Sequence, residues 1–340
     1  MQPTRSPRPV AATPSAATLP PPLASSGGEP TSHQHVLPPR VIPRHLHGAS
    51  ALPEAWLRAA SLRPGCPLVV VSSADGGVGR STLTAALGAV LALACPNPPL
   101  AVEATGRAWG GLIHRVPRRS EASIWDAYTA VHAEAPLSTS TVDAWMHLGT
   151  TGLHTLIAEV HRTGTRRPPV FLEAMRVVGA LRTRYPLAVL DVPVADVRGV
   201  WELLADAACP LLVARASTDG VQHTMRLLAQ LCAGGLAAVA DRAVVAVSAA
   251  APSPPREVRA AVRQLAGQAG AVVTVPFDAH LARPEPTDPA RLRKPTRLAL
   301  VELAAAVLAR CPADPDLAAV LADGADHPHD TAPRPDGRAN

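Results

Sequence analysis

Lysine is almost missing from this sequence. Of 32 lysine and arginine residues, Lys294 alone is lysine. Aromatic residues make up 3% of the chain, so a core has to be built from alanine, valine and leucine. With the excess of alanine and proline, that bias reads as GC-rich coding before it reads as function. The five cysteines (Cys66, Cys95, Cys209, Cys232, Cys311) contain no C-x-x-C pair, which argues against a disulfide framework and a zinc ribbon. The longest nearly apolar run, Leu83 to Cys95, falls short of the roughly 20 residues that span a bilayer. The opening MQPTRSPRPVAATPS carries no apolar signal segment. A soluble cytoplasmic protein is the expectation.

What is present suits a folded enzyme or binding domain. The chain has 340 residues, 47% hydrophobic and 17% charged, enough for one large α/β domain or two smaller ones. Residues 1–62 hold 12 of the 37 prolines, and such a stretch cannot bury enough apolar surface to offset its ordering entropy. It is expected to be a disordered tail, with a short helix over Leu52 to Leu62 begun by Pro53 and Glu54. Its histidines, His33, His35, His45 and His47, lack the cysteine or carboxylate partners of a metal site and read as solvated. Residues 313–340 form a second flexible tail with a net charge of −4. The first 62 residues carry +3, which leaves +6 of the total +5 on residues 63–312.

Within 63–312, apolar runs of strand length recur: PLVVVSS, PLAVEA, LHTLIAE, PLAVLDV, PLLVARA, RAVVAVS and AVVTVPF. Helical periodicity separates most of them, as in Thr218 to Leu231 and Arg256 to Ala266; two more helices are expected between Leu112 and Leu153. Continuous apolar strands alternating with helices predict an α/β, doubly wound, mostly parallel sheet covered on both faces. Ligands of such sheets bind at the carboxyl ends of the strands.

At the first strand stands VVVSSADGGVGRST, Val69 to Thr82. Gly76, Gly77 and Gly79 permit a tight turn that aims consecutive N–H groups at an anion. The helix starting near Ser81 adds its positive end, and the Ser81 hydroxyl stands where Mg2+ would be ligated. The alternative, a tight strand-to-helix turn without a ligand, has to be weighed against the strand, hydroxyl pair and helix that all fit.

ADGGVGRST resembles the deviant Walker A loop of the ParA/MinD family of P-loop ATPases, which usually reads lysine-Gly-Gly-x-Gly-lysine-Ser/Thr-Thr. The order of later segments resembles that family too. LAVEATGRAWGGL is similar to its second strand and switch I, and PLAVLDVPVADVRG to its Walker B strand and switch II. PLLVARASTDGVQHTMRLLAQL is similar to the next strand–helix pair, and VVAVS and AVVTVPFDAHLA to the strands whose ends hold the base. The likeness covers roughly residues 66–310, with Leu112 to Leu153 matching poorly.

The resemblance implies ATP and Mg2+ as ligands of Asp75, Gly76, Gly77, Val78, Gly79, Arg80, Ser81 and Thr82. Ser248, Pro276, Phe277 and Asp278 would lie at the base, and Asp191 would support the metal beside Ser81. Asp191 has a plainer alternative as a strand-end cap. Several family positions differ. Arg80 stands for the lysine that grips the β- and γ-phosphates and is not its equivalent. Asp75 stands for the signature lysine that crosses an ATP-bound dimer. A unit charge about 5 Å from a phosphate is worth roughly 3 kcal/mol at a dielectric near 20, and sign reversal doubles it. A nucleotide-dependent homodimer is therefore expected to be weakened. In switch I the usual aspartate pair reads Glu103 and Thr105, and Thr105 cannot hold the attacking water as a carboxylate would. ATP binding with slow or lost hydrolysis follows.

The resemblance further implies an unknown cargo or adaptor protein, such as a chromosome, a plasmid or a secretion assembly. Arg283, Arg291, Arg293, Lys294 and Arg297, with Arg162, Arg166 and Arg167, offer a surface for non-specific DNA or are simply solvated. The acidic C-terminal segment is unlike the basic amphipathic membrane helix of MinD proteins, so no membrane anchor is expected. Only Tyr128 and Tyr185 are tyrosines, unlike the related tyrosine kinases, and no cysteines suit an iron–sulfur reductase. The second reading is a non-hydrolysing regulatory or scaffold protein working through its proline-rich tail, which resembles accessory proteins of specialised secretion systems.

Overall fold

The computed structural model describes residues 41–62, 65–107, 110–158, 169, 171–197, 199–253 and 255–313. Each of the seven apolar runs forms a strand there, and a two-residue strand joins them. They are β1 (Leu68–Ser72), β2 (Leu100–Glu103), β3 (His147–Leu148), β4 (His154–Leu156), β5 (Ala188–Asp191), β6 (Cys209–Arg215), β7 (Val244–Ser248) and β8 (Ala271–Val275). The helices are α1 (Leu52–Ala60), α2 (Arg80–Ala94), α3 (Ile124–His132), α4 (Thr139–Trp145), α5 (Phe171–Leu181), α6 (Val200–Asp206), α7 (Thr218–Ala233), α8 (Ala237–Arg242), α9 (Arg256–Leu265), α10 (Ala279–Ala282) and α11 (Lys294–Leu308). The two helices expected between Leu112 and Leu153 are α3 and α4.

The eight strands form one sheet in the order β3-β4-β2-β5-β1-β6-β7-β8. Every pair is parallel except β3 with β4. Successive side chains of a strand point to opposite faces, so β1 divides its apolar residues between two cores. Leu68 and Val70 join a cluster with α3 to α9, whereas Val69 and Val71 join a second one with α1, α2 and α11. Burial on both faces is why these strands need no polar alternation.

Residues 41–62 correct the expected boundary at residue 63. The helix foreseen there exists as α1, but it belongs to the fold rather than to a disordered tail. Leu52, Ala55, Trp56 and Ala59 recur at helical spacing, and all four are buried in the cluster that contains α11, as is Leu46 ahead of them. The proline-rich composition of the whole stretch conceals this one amphipathic stripe. Leu62 then bridges to Ala313. The disorder expected for residues 1–40 and the acidic tail over 314–340 lie outside the described residues. So do His33, His35, Arg162, Arg166 and Arg167. Among the described residues no helix is long and apolar enough to cross a membrane, and no group of three or more His, Cys, Asp or Glu is placed to hold a metal.

Candidate functional site

The glycine-rich loop leaves β1 at the carboxyl edge of the sheet and enters α2. Gly77 and Gly79 have φ of +67° and +94°, left-handed conformations that side chains disfavour. Ser72 Oγ donates to Pro193 O at 2.7 Å, tying the loop to the exit of β5. The parallel register sets Val71 beside Asp191 and Glu103 beside Asp191, which gathers the loop and both candidate carboxylates at one edge.

Ser81 Oγ donates to Asp191 Oδ2. Asp191 is fully buried, and its other oxygen has no hydrogen-bond partner among the described residues. Arg80 approaches that oxygen to 4.0 Å and donates to Ser73 Oγ at 3.0 Å. Here Arg80 is folded onto protein groups, not held out for a phosphate. Glu103 is 2% exposed and accepts N–H bonds from Leu112 at 3.0 Å and Ala158 at 3.2 Å. Burial pushes Asp191 up to about 6, against the pull of the Ser81 hydrogen bond and the Arg80 charge. Burial, and then the charge of Asp191, push Glu103 up to about 7 despite its two N–H donors.

A hydroxyl, a buried carboxylate with an oxygen that accepts no hydrogen bond among the described residues and a second carboxylate nearby make a hard-oxygen donor set that fits Mg2+. Ser81 and Asp191 would hold it; bound there, the ion would neutralise phosphate charge. A pH dependence follows. Both carboxylates ionise less readily folded than unfolded, so their contribution to stability is full below the ordinary range near 4 and lost as pH rises through about 6 to 7. A cation held by Ser81 and Asp191 would lessen that penalty, for Asp191 directly and for Glu103 through its charge. The rise in melting temperature produced by Mg2+ should therefore be larger at pH 8 than at pH 5. An equal shift at both pH values would refute the paired-carboxylate site.

Two glycines that the sequence reading did not single out close this site. A Cβ on Gly110 would stand 1.7 Å from Glu103 Oε1, and one on Gly111 would stand 2.7 Å from Ser81 Oγ. Only bare backbone fits between them and the carboxylate. Thr105, on the same stretch, has an Oγ1 that is buried without a partner among the described residues.

Beside the loop lies a cavity of about 260 Å³. It gathers expected residues, namely Gly77, Val78, Gly79, Thr82, Ser248, Pro276, Phe277 and Asp278, and adds Arg115 and Arg215. Asp278 proves to be scaffold within the wall. Its oxygens accept from His280 N at 2.9 Å, capping α10, and from Arg293 N at 2.8 Å. Burial would raise its pKa, but the Arg293 and His280 N–H bonds outweigh this and hold it below the usual range. Arg115 donates to Leu281 O at 2.9 Å and to Arg283 O. The one signal for Arg215 was its place at the carboxyl end of a strand.

Asp75 faces its own chain. Its Oδ1 lies 2.8 Å from Nδ1 of His223 on α7, at the edge of a second cavity of about 440 Å³ lined also by Trp201 and Leu227. The basic segment is partly spent internally: Arg291 pairs with Glu285 at 3.4 Å, Arg293 with Asp278 at 3.9 Å, and Arg297 donates to Leu292 O.

No family model matches the chain. It is 31% identical over 230 residues to the ESX-1 secretion-associated protein EspI of Mycobacterium tuberculosis, a match covering 63% of this chain. The chain spans about a third of the length of that relative, 32%. Among solved structures, it is similar to a ParA family ATPase from Chlorobium tepidum TLS, with 15% identity, 78% of this chain and 99% of the other covered, and a TM-score of 0.50. An ATP complex of a Cyanothece McdA variant gives 14% identity, coverages of 73% and 98%, and a TM-score of 0.51. The septum site-determining protein MinD from Pyrococcus horikoshii OT3, complexed with Mg-ADP, gives 15%, coverages of 70% and 95%, and 0.50.

Proposed function

From the ParA/MinD-like P-loop fold that this chain has, we propose that it is a Mg2+-dependent ATP-binding protein of the positioning type, with hydrolysis slow or lost. The observation that carries this reading is the Ser81–Asp191 pair, with one buried Asp191 oxygen that accepts no hydrogen bond among the described residues, at the foot of the glycine cradle. The neighbouring cavity is lined by the glycine cradle and by Ser248 and Pro276–Phe277, the residues expected at the base. Slow turnover is favoured by Thr105, which offers no carboxylate for the attacking water, and by Arg80, which is already engaged by Ser73 and Asp191. The likeness to a protein named as secretion-associated favours a secretion assembly over a chromosome as cargo, reached through an adaptor protein. A DNA role is less supported, since Arg291, Arg293 and Arg297 all have partners within the chain.

The test is calorimetric titration of the full chain with Mg·ATP, with phosphate release measured on the same sample. Binding should be detectable, depend on Mg2+ and fall at least tenfold in Asp191→Ala, about 1.4 kcal/mol. No binding at millimolar ATP would overturn the proposal. Turnover abolished by Asp191→Ala would instead make the protein a working ATPase. A second reading, a scaffold that does not use nucleotide, is favoured by one contact: Asp75 is held by His223 where the related loops carry lysine.

A further inference from the structure

We propose that Arg215 supplies, from within the same chain, the phosphate-binding charge that the loop lacks at Asp75. The inference rests on the nucleotide reading above. Arg215 is the last residue of β6, and its backbone is fixed on two sides. It pairs in register with Ser248 of β7, and the following Ala216 N–H donates to Ser248 O at 2.8 Å. Gly220 of α7 presses on it so closely that a Cβ there would stand 2.8 Å from Arg215 O. The side chain, by contrast, is exposed and lines the nucleotide cavity. Its Nη2 donates to Gly77 O at 3.4 Å, a long bond on the rim of the anion cradle, and no carboxylate among the described residues forms an ion pair with it.

Two other cations near the cradle are committed to protein groups. Arg80 is turned toward Ser73 and Asp191, and Arg115 is anchored on the carbonyls of Leu281 and Arg283. Arg215 thus combines a fixed base, an exposed guanidinium and a weak present contact. A planar guanidinium gives paired hydrogen bonds to phosphate oxygens. Because it comes from the same chain, its contribution needs no second subunit. Asp75, held by His223 of the same chain, is compatible with this arrangement in a monomer.

The test compares Mg·ATP affinity of wild type, Arg215→Gln and Arg215→Lys on the full chain, with light scattering on each sample. Arg215→Gln should weaken ATP binding about tenfold, and Arg215→Lys should recover part of the loss by keeping the charge. Both variants should melt at the wild-type temperature without nucleotide, because the side chain is exposed. The ATP-bound wild type should remain monomeric. If wild type binds ATP and Arg215→Gln binds within twofold of it, the assignment of Arg215 is overturned while the nucleotide reading stands. If Arg215→Gln lost affinity only by losing an ATP-dependent dimer, the residue would be a partner contact and the proposal would fail. If wild type bound no ATP, both readings would fall together.

Discussion

Trp56→Ala is expected to remove about 3–5 kcal/mol of folding stability, the usual range for truncating a buried tryptophan. For a domain of this size that corresponds to a drop in melting temperature on the order of 10 °C. The reason lies in where α1 sits. Trp56 is 3% exposed and shares its cluster with Leu300, Leu303 and Val307 of α11 and with Leu87 and Leu91 of α2. Removing the indole leaves a void that the surrounding side chains cannot fill without shifting, so the cost exceeds the transfer of the ring alone. Deleting residues 1–62 should do more harm than the point change, because Leu46, Leu52 and Ala55 leave with it and the apolar face of α11 is opened to water. Thermal unfolding of the three proteins checks the claim. A Trp56→Ala protein as stable as wild type would return this segment to the status of a tail. The same geometry decides which chain to use for nucleotide binding: a fragment beginning at residue 63 lacks part of the core.

The second large effect is expected at Gly110→Ala. The added methyl would fall 1.7 Å from Glu103 Oε1 and 2.2 Å from Glu103 Cδ, so either the carboxylate or the 110–112 backbone has to move. Overpacking alone costs about 1–3 kcal/mol. Displacement would also break the Leu112 N–H bond to a buried carboxylate, adding a cost of similar size. Weakened Mg2+-dependent ATP binding, by tenfold or more, should accompany the loss of stability, since the neighbouring Gly111 lies on Ser81. The double variant Glu103→Ala with Gly110→Ala should recover much of the stability lost by Gly110→Ala alone. Such a recovery measures the coupling directly, as in any double-mutant cycle. Additive effects of the two changes would show that the backbone lies elsewhere in solution.

The fold was largely legible in the sequence because its strands are buried on both faces and read as unbroken apolar runs. β3 escaped notice, being two residues long and antiparallel at the edge. α1 was foreseen as a helix, but its packing was hidden because prolines before it dominate the local composition. In the site, the loop announces itself by its glycines, and Asp191 by the resemblance of its strand to a Walker B segment. Contacts between distant parts of the chain do not. Nothing in ADGGVGRST says that Asp75 will meet His223, 148 residues on. Gly110 and Gly111 looked like ordinary loop glycines until the register of β2 against β5 placed Glu103 beneath them. Asp278 lines the expected cavity, but nothing in PFD says that its oxygens will cap α10 and also accept from Arg293 N.

The position of β1 bears on how the protein is made. It is the first strand along the chain, yet it stands inside the sheet between β5 and β6, which follow it by more than a hundred residues. During synthesis the glycine-rich loop must therefore wait, its strand unpaired on both edges, until β5 and β6 have emerged. The face that α1 and α2 share with α11 waits longer still, since α11 follows every strand. Such late closure of distant contacts slows folding and lengthens the time in which apolar surface can aggregate. A chain arrested before Lys294 should bind chaperones that the finished protein no longer needs.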